Sequence, residues 1–210
     1  MAVHKIALII GSTRTIRVGP SVVNFVHKTI LSSNITPVPS ISIVDIGSFG
    51  LPVFDEPAIP AQVPAQGSFI HAHSVAWSAE ISKYDAYIFV SPEYNYGIPG
   101  GIKNAIDYLH NEWIGRPAMI ITYGAKGGQS ANRNLNETLT GMKLRVAETS
   151  PELQFGGEGM EDTFKAAGGV LGEDTLKLWE ETKEEDVVKA FGELMKLLKT
   201  PFEDVKEPAH

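Results

Sequence analysis

Four short apolar runs constrain this chain more than any other feature: KIALII (5–10), SISIVDI (40–46), AYIFV (86–90) and AMIITY (118–123). Each is rich in β-branched residues and closes on turn-forming ones, the pattern of short strands. Between and after them lie segments with helical spacing: Pro20 to Leu31, Ser68 to Lys83, Gly100 to His110 and Gly128 to Leu139. Met142 to Val146 reads as a fifth strand, and the Glu/Lys/Leu-rich stretch from Glu173 to Lys199 as one long amphipathic helix. Strands alternating with helices of this length imply a parallel sheet covered on both faces, because each crossover returns right-handed over the sheet.

The expected fold class is therefore α/β, a flavodoxin-like three-layer sandwich with a five-stranded parallel sheet in the order 2-1-3-4-5. With 210 residues, the chain suits a single domain over 1–200 and a Pro/Glu-rich tail over 201–210. LPVFDEPAIPAQVPAQG (51–67), with four prolines, reads as an ordered surface loop or a lid. In such a sheet, ligands bind beyond the carboxyl ends of the strands. Three loops converge there: GSTRTIRVGPS, SPEYNYGIPGG and YGAKGGQS.

The first loop turns from a strand into a helix through glycine, pointing backbone N–H groups and the positive helix end at one spot. Ser12 and Thr13 add hydroxyls, while Arg14 and Arg17 add fork-shaped donors, so a phosphate monoester is a natural guest. The plainer alternative is that a hydroxyl caps the helix and both arginines lie on the surface. The loop lacks both the Gly-Lys-Ser/Thr ending of a P-loop and the G-x-G-x-x-G dinucleotide pattern. In the second loop Pro92 and Pro99 stiffen the turn, Tyr94 and Tyr96 offer aromatic surface to a flat ring, and Asn95 offers a donor and an acceptor. Those tyrosines could instead pack on the next helix. Glu93 is open between a solvated carboxylate and a residue acting through its backbone. In the third loop Gly124, Gly127 and Gly128 allow close backbone approach and Lys126 supplies charge.

Composition excludes several classes. No cysteine is present, which removes disulfides, thiol nucleophiles and thiolate metal sites. A formal net charge of −7 opposes nucleic acid and anionic membranes. The apolar run from Ile6 to Gly11 is too short for a signal-peptide core, and no stretch is long enough to span a membrane, so the expected location is the cytoplasm. His71 and His73, two apart in a predicted helix, do not share a face, and His110 with Glu112 suits an interfacial or solvated role, so no metal is expected. No G-x-S-x-G elbow occurs, and no catalytic residue is assigned. Trp77 reads as core and Trp113 as a residue packing at a subunit interface.

GSTRTIR, SPEYNYGIPGGIKNAID and ITYGAKGG, in this order and spacing, resemble the NADPH-dependent FMN reductase family, particularly fungal and yeast-type quinone reductases and azobenzene reductases. The resemblance spans roughly residues 4 to 147 and thins over Gly156 to Gly172. It implies that Ser12, Arg14 and Arg17 hold the phosphate of FMN, and that Pro92, Glu93, Tyr94, Asn95 and Tyr96 line its ring. Tyr123, Gly124 and Gly127 would complete the far edge. Lys126 stands where the family often has glycine or histidine; as a cofactor-binding residue its charge near the ring would raise the flavin potential, and the alternative is that it points to solvent. Implied further are NADPH or NADH as co-substrate, ping-pong transfer of hydride through FMN to a quinone, azo compound or free flavin, and a homodimer or homotetramer. In such an assembly the Gly100 to Trp113 region of one subunit covers the flavin of its neighbour. The alternatives are a flavodoxin-type electron carrier with little NAD(P)H turnover and a structural protein without flavin.

Overall fold

The computed structural model describes residues 3–64 and 68–202. The chain alternates strand and helix through β1 (Lys5–Ile10), α1 (Gly19–Ser32), β2 (Ser40–Asp45), α2 (Ala72–Ile81), β3 (Ala86–Pro92), α3 (Gly100–Asp107), β4 (Pro117–Gly124) and α4 (Gln129–Gly141). β5 (Arg145–Val146), β6 (Glu152–Gln154), α5 (Glu161–Ala167), α6 (Glu173–Thr182) and α7 (Glu184–Lys199) follow. The sheet runs β2-β1-β3-β4-β5, all parallel, which is the expected order and the flavodoxin-like three-layer arrangement.

Alternation along the strands builds two cores. Ile6, Leu8 and Ile10 of β1 join Ile88 and Val90 of β3 beneath α1 and α7, in a cluster that includes Val22, Val26, Phe191 and Leu194. Ala7 and Ile9 join Tyr87, Phe89 and Ile120 on the opposite face, with Trp77, Ile106, Trp113 and Leu135. Burial of every β3 residue follows from its central place, with both faces covered. Trp113 is fully buried within its own chain, its ring 4.9 Å from Tyr87 and 5.9 Å from Phe89, and its indole N–H donates to Ile106 O at 3.1 Å. The expectation of an interfacial Trp113 is thus corrected: an indole this large gains more from the aromatic core of its own domain. Trp77 is core as expected, donating to Ala105 O at 2.8 Å.

Three further differences have local causes. The fifth strand position is shared: β5 pairs with the start of β4 at Pro117↔Arg145, and β6 with its end at Tyr123↔Leu153. The interruption at 147–151 contains Pro151, which has no N–H to donate to a ladder. The predicted single terminal helix is two, broken at Lys183 (φ −122°), because Trp179 turns inward against Phe25 and Phe155 while α7 packs along α1. The unassigned stretch after β6 contains the short α5. Of the expected tail, residues 203–210 lie outside the described residues, while Phe202 rests on Gly115.

Candidate functional site

Beyond the carboxyl ends of β1, β3 and β4 the structure opens a cavity of about 240 Å³. Of the residues singled out from sequence, Arg14, Arg17, Pro92, Glu93, Tyr94, Tyr123 and Gly124 line it together. Ser12 is fully buried and stands outside the lining. Asn95, Tyr96, Lys126 and Gly127 stand outside its wall; Asn95, Tyr96 and Lys126 are exposed, and Gly127 is buried against Glu152.

The β1–α1 loop is braced from within. The Arg17 guanidinium donates to both carboxylate oxygens of Asp45, at 2.9 and 2.5 Å, and also to the Ser12 carbonyl. This pairing with Asp45 raises the Arg17 pKa further above its ordinary value. Arg17 is therefore a brace between the loop and β2 as well as part of the cavity wall. Arg14 makes no ion pair among the described residues and lies over the Tyr94 ring, 3.6 Å from its centroid. Among the described residues, the backbone amides of Thr13 to Arg17 donate no backbone hydrogen bond. Ser12 Oγ is buried without a hydrogen-bond partner. It can sit there because residue 19 is glycine: a Cβ at Gly19 would lie 2.2 Å from Ser12 Oγ and 2.9 Å from the Tyr123 hydroxyl. The unmet amide donors of the loop and the Arg14 guanidinium beside them suit an anion.

Glu93 resolves its own ambiguity. Its Oε2 accepts from the amides of Ser130 (2.7 Å) and Ala131 (3.2 Å), the second and third residues of α4. The carboxylate is a cap supplied across loops, since the helix begins on Gly128 (φ +83°), which has no side chain to cap with. Asn95 and Tyr96 take positive φ, 49° and 63°, in a tight turn closed by paired hydrogen bonds between Tyr94 and Gly97. That turn carries the Tyr96 ring outward. Burial pushes the Tyr123 hydroxyl well above its ordinary pKa, so it remains protonated.

Several contributors escaped the sequence reading. Phe155, Thr163, Ala166 and Ala167 close the cavity on the side of α5, where no motif marks them. Asn104, in the KNAID stretch, accepts from the Phe54 amide (3.0 Å) and donates to Pro52 O (2.6 Å), clamping the proline-rich loop onto α3. His71 precedes α2 instead of lying in it, so the two histidines do meet: their rings stack at 5.3 Å, and His73 Nε2 is 3.0 Å from Asp55. Burial pushes the Asp55 carboxyl up, but hydrogen bonds from His73 and Tyr108 and the charge of His71 outweigh it, leaving its pKa below the ordinary value. Glu112 is buried, accepting from Ser78 Oγ, which corrects its expected solvated role. Among the described residues no group of three or more metal-ligating side chains is placed to hold a metal.

Residues 4–155 match the family described as NADPH-dependent FMN reductase. An NAD(P)H-dependent FMN reductase of Nectria sp is 50% identical over 202 residues, covering 95% of this chain and 99% of that protein. A quinone reductase of Pseudomonas putida is 31% identical over 165 residues, covering 74% of this chain and 79% of its own. The fold is also that of a flavoenzyme NAD(P)H:(acceptor) oxidoreductase of Paracoccus denitrificans, with a TM-score of 0.62, 22% identity and coverage of 92% of this chain and 98% of that one.

Proposed function

Since the chain belongs to the NADPH-dependent FMN reductase family, we propose that it is an FMN-dependent NAD(P)H oxidoreductase acting on a small-molecule acceptor such as a quinone, an azo compound or free flavin. The observation that carries this reading is one cavity joining Arg14, which has no ion pair among the described residues, and the first-loop residues with unmet amides to the rings of Tyr94 and Tyr123. A phosphate monoester satisfies the first group and a flat ring system the second, so the residues present fit FMN.

When bound, FMN supplies the redox chemistry, taking hydride from NAD(P)H and passing electrons to the acceptor. The protein's part is to bind and orient. Arg14, which lies over the Tyr94 ring, would hold the phosphate through charge-assisted hydrogen bonds, and Tyr94 would offer aromatic surface to the ring. Asp45 fixes the second arginine, Arg17, which in turn holds the Ser12 carbonyl and so the shape of the loop. Glu93 ties the β3–α3 loop to the start of α4 and thereby sets the width of the slot. Gly124, at the cavity wall, leaves the backbone open to a ring edge. No side chain is assigned as general acid or base.

The proposal includes a homodimer or homotetramer in which a neighbouring subunit covers the exposed Asn95 and Tyr96, and a cytoplasmic location. No helix among the described residues is long and apolar enough to cross a membrane. Steady-state kinetics with NADPH and a soluble quinone test the reading. Parallel double-reciprocal lines are expected for two substrates taking turns at one open face, and intersecting lines contradict that order.

A further inference from the structure

A second cavity, of about 260 Å³, lies where the chain enters β4, while the first lies where that strand ends. The eight residues of β4 separate the two, roughly 25 Å at about 3.3 Å per residue. Two charged side chains line this second cavity and form no ion pair with each other. Glu112 is only 4% exposed; its Oε1 accepts from Ser78 Oγ at 2.5 Å, and its Oε2 has no hydrogen-bond partner. Arg116 is part-buried and makes no ion pair or side-chain hydrogen bond among the described residues. Its backbone is held on both sides, the amide donating to Trp113 O (3.1 Å) and the carbonyl accepting from the Arg145 amide (2.9 Å). Both charges act on one interior group: burial pushes the Tyr87 hydroxyl above its ordinary pKa, Arg116 counters that rise and Glu112 adds to it.

A buried carboxylate oxygen without a donor is costly to keep. Folding has already stripped it of water, so a donor that reaches it gains a charge-assisted hydrogen bond at little further desolvation of the protein. The guanidinium asks for the opposite partner, an anion, and its parallel N–H groups match a carboxylate. The rest of the wall is apolar. Ile114 lines it, and the Phe202 ring is seated on Gly115, where a Cβ would lie 2.5 Å from the ring. A simple cation would satisfy Glu112 and leave Arg116 unmet, and a phosphate would do the reverse. An ammonium, a carboxylate and an aromatic group meet in one small molecule, a free aromatic α-amino acid.

We propose that this cavity is a binding site for a free α-amino acid with an aromatic side chain, its ammonium on Glu112, its carboxylate on Arg116 and its ring against Ile114 and Phe202. The site shares no lining residue with the cavity at the other end of β4, so it stands or falls apart from the flavin reading.

Ligand-observed NMR titrations of the full chain test it with L-phenylalanine, with phenethylamine, which lacks the carboxylate, and with hydrocinnamate, which lacks the ammonium. Far-ultraviolet circular dichroism checks the folding of each variant. Wild type is expected to bind L-phenylalanine with a Kd of about 1 mM or below, and each partial probe at least about tenfold more weakly. Arg116→Ala is expected to weaken L-phenylalanine about tenfold and to leave phenethylamine little changed. Glu112→Gln, which keeps an acceptor for Ser78, is expected to weaken L-phenylalanine about tenfold and to leave hydrocinnamate little changed. No binding of L-phenylalanine at several times that concentration overturns the proposal, as does equal affinity for all three probes. So does an unchanged L-phenylalanine affinity in folded Arg116→Ala, a result that stands even if Glu112→Gln fails to fold.

Discussion

Replacing Glu93 by alanine isolates the contact that couples two loops of the site. In the native chain its carboxylate takes the amides of Ser130 and Ala131, two of the four donors that the first turn of α4 leaves unpaired, and the helix has no cap of its own because it starts on Gly128. Losing a side-chain cap costs about 0.5–2 kcal/mol. Losing a negative charge at a helix N-terminus costs about 0.3–1 kcal/mol more. The sum, roughly 1–3 kcal/mol, corresponds in a chain of this size to a fall in Tm of about 2–12 °C. Glu93→Gln keeps an acceptor and loses the charge, so only the smaller part should be lost. Thermal melts of the flavin-free protein measure both, since bound ligand would mask part of the change. Amide hydrogen exchange at residues 130 and 131 supplies the local readout: both should exchange faster in Glu93→Ala. A melt within 1 °C of wild type, or unchanged exchange at those two amides, would refute the cap and with it the claim that Glu93 holds the slot.

Arg14→Ala should weaken FMN binding by about 10–100-fold, the worth of a hydrogen bond to a charged group at roughly 1.5–3 kcal/mol, with little change in hydride transfer once flavin is saturating; equilibrium titration and rapid-mixing kinetics separate the two. Gly172→Ala drives a methyl group into Asp162 and should cost about 1–3 kcal/mol, read as a lowered denaturant midpoint. Burial pushes the Asp162 carboxyl up, but the Thr175 amide, Lys165 and the Thr175 hydroxyl outweigh that and hold its pKa below the ordinary value. A carboxyl lowered in the folded state contributes stability above its unfolded value and loses it as pH falls toward the folded one. The Tm difference between wild type and Asp162→Asn should therefore be constant near neutrality and shrink below about pH 4; a difference that persists to pH 3 argues against it. Lys126 is exposed and outside the cavity wall, so Lys126→Met should leave the flavin midpoint potential unchanged, and a measurable shift would restore a tuning role.

The central layers were legible because burial on both faces demands long β-branched runs, and such runs are hard to mistake; KIALII and AYIFV became β1 and β3 nearly to the residue. The loops that follow were legible as well, since glycine and proline mark where a chain leaves a strand. Contacts across the fold were not. Glu93 capping α4, Asn104 clamping Pro52 and Phe54, and Asp55 drawing His71 and His73 together depend on residues 37 to 52 positions apart, or on a helix that begins one turn later than its spacing suggested. Trp113 looked interfacial because it follows the helix that the family resemblance places at a subunit interface, whereas its ring turns inward. The stretch from Gly156 to Gly172 is the clearest omission: a seven-residue helix between glycines has no usable periodicity, and it is fixed by one buried aspartate whose partner lies thirteen residues on.

The most direct test of the whole account is the visible absorption spectrum of the purified protein, reconstituted with FMN if needed, before and after anaerobic addition of NADPH. A bound flavin spectrum that bleaches within the mixing time of the experiment is the predicted result. A protein that takes up no FMN, or one whose bound flavin stays oxidised under excess NADPH, would contradict it.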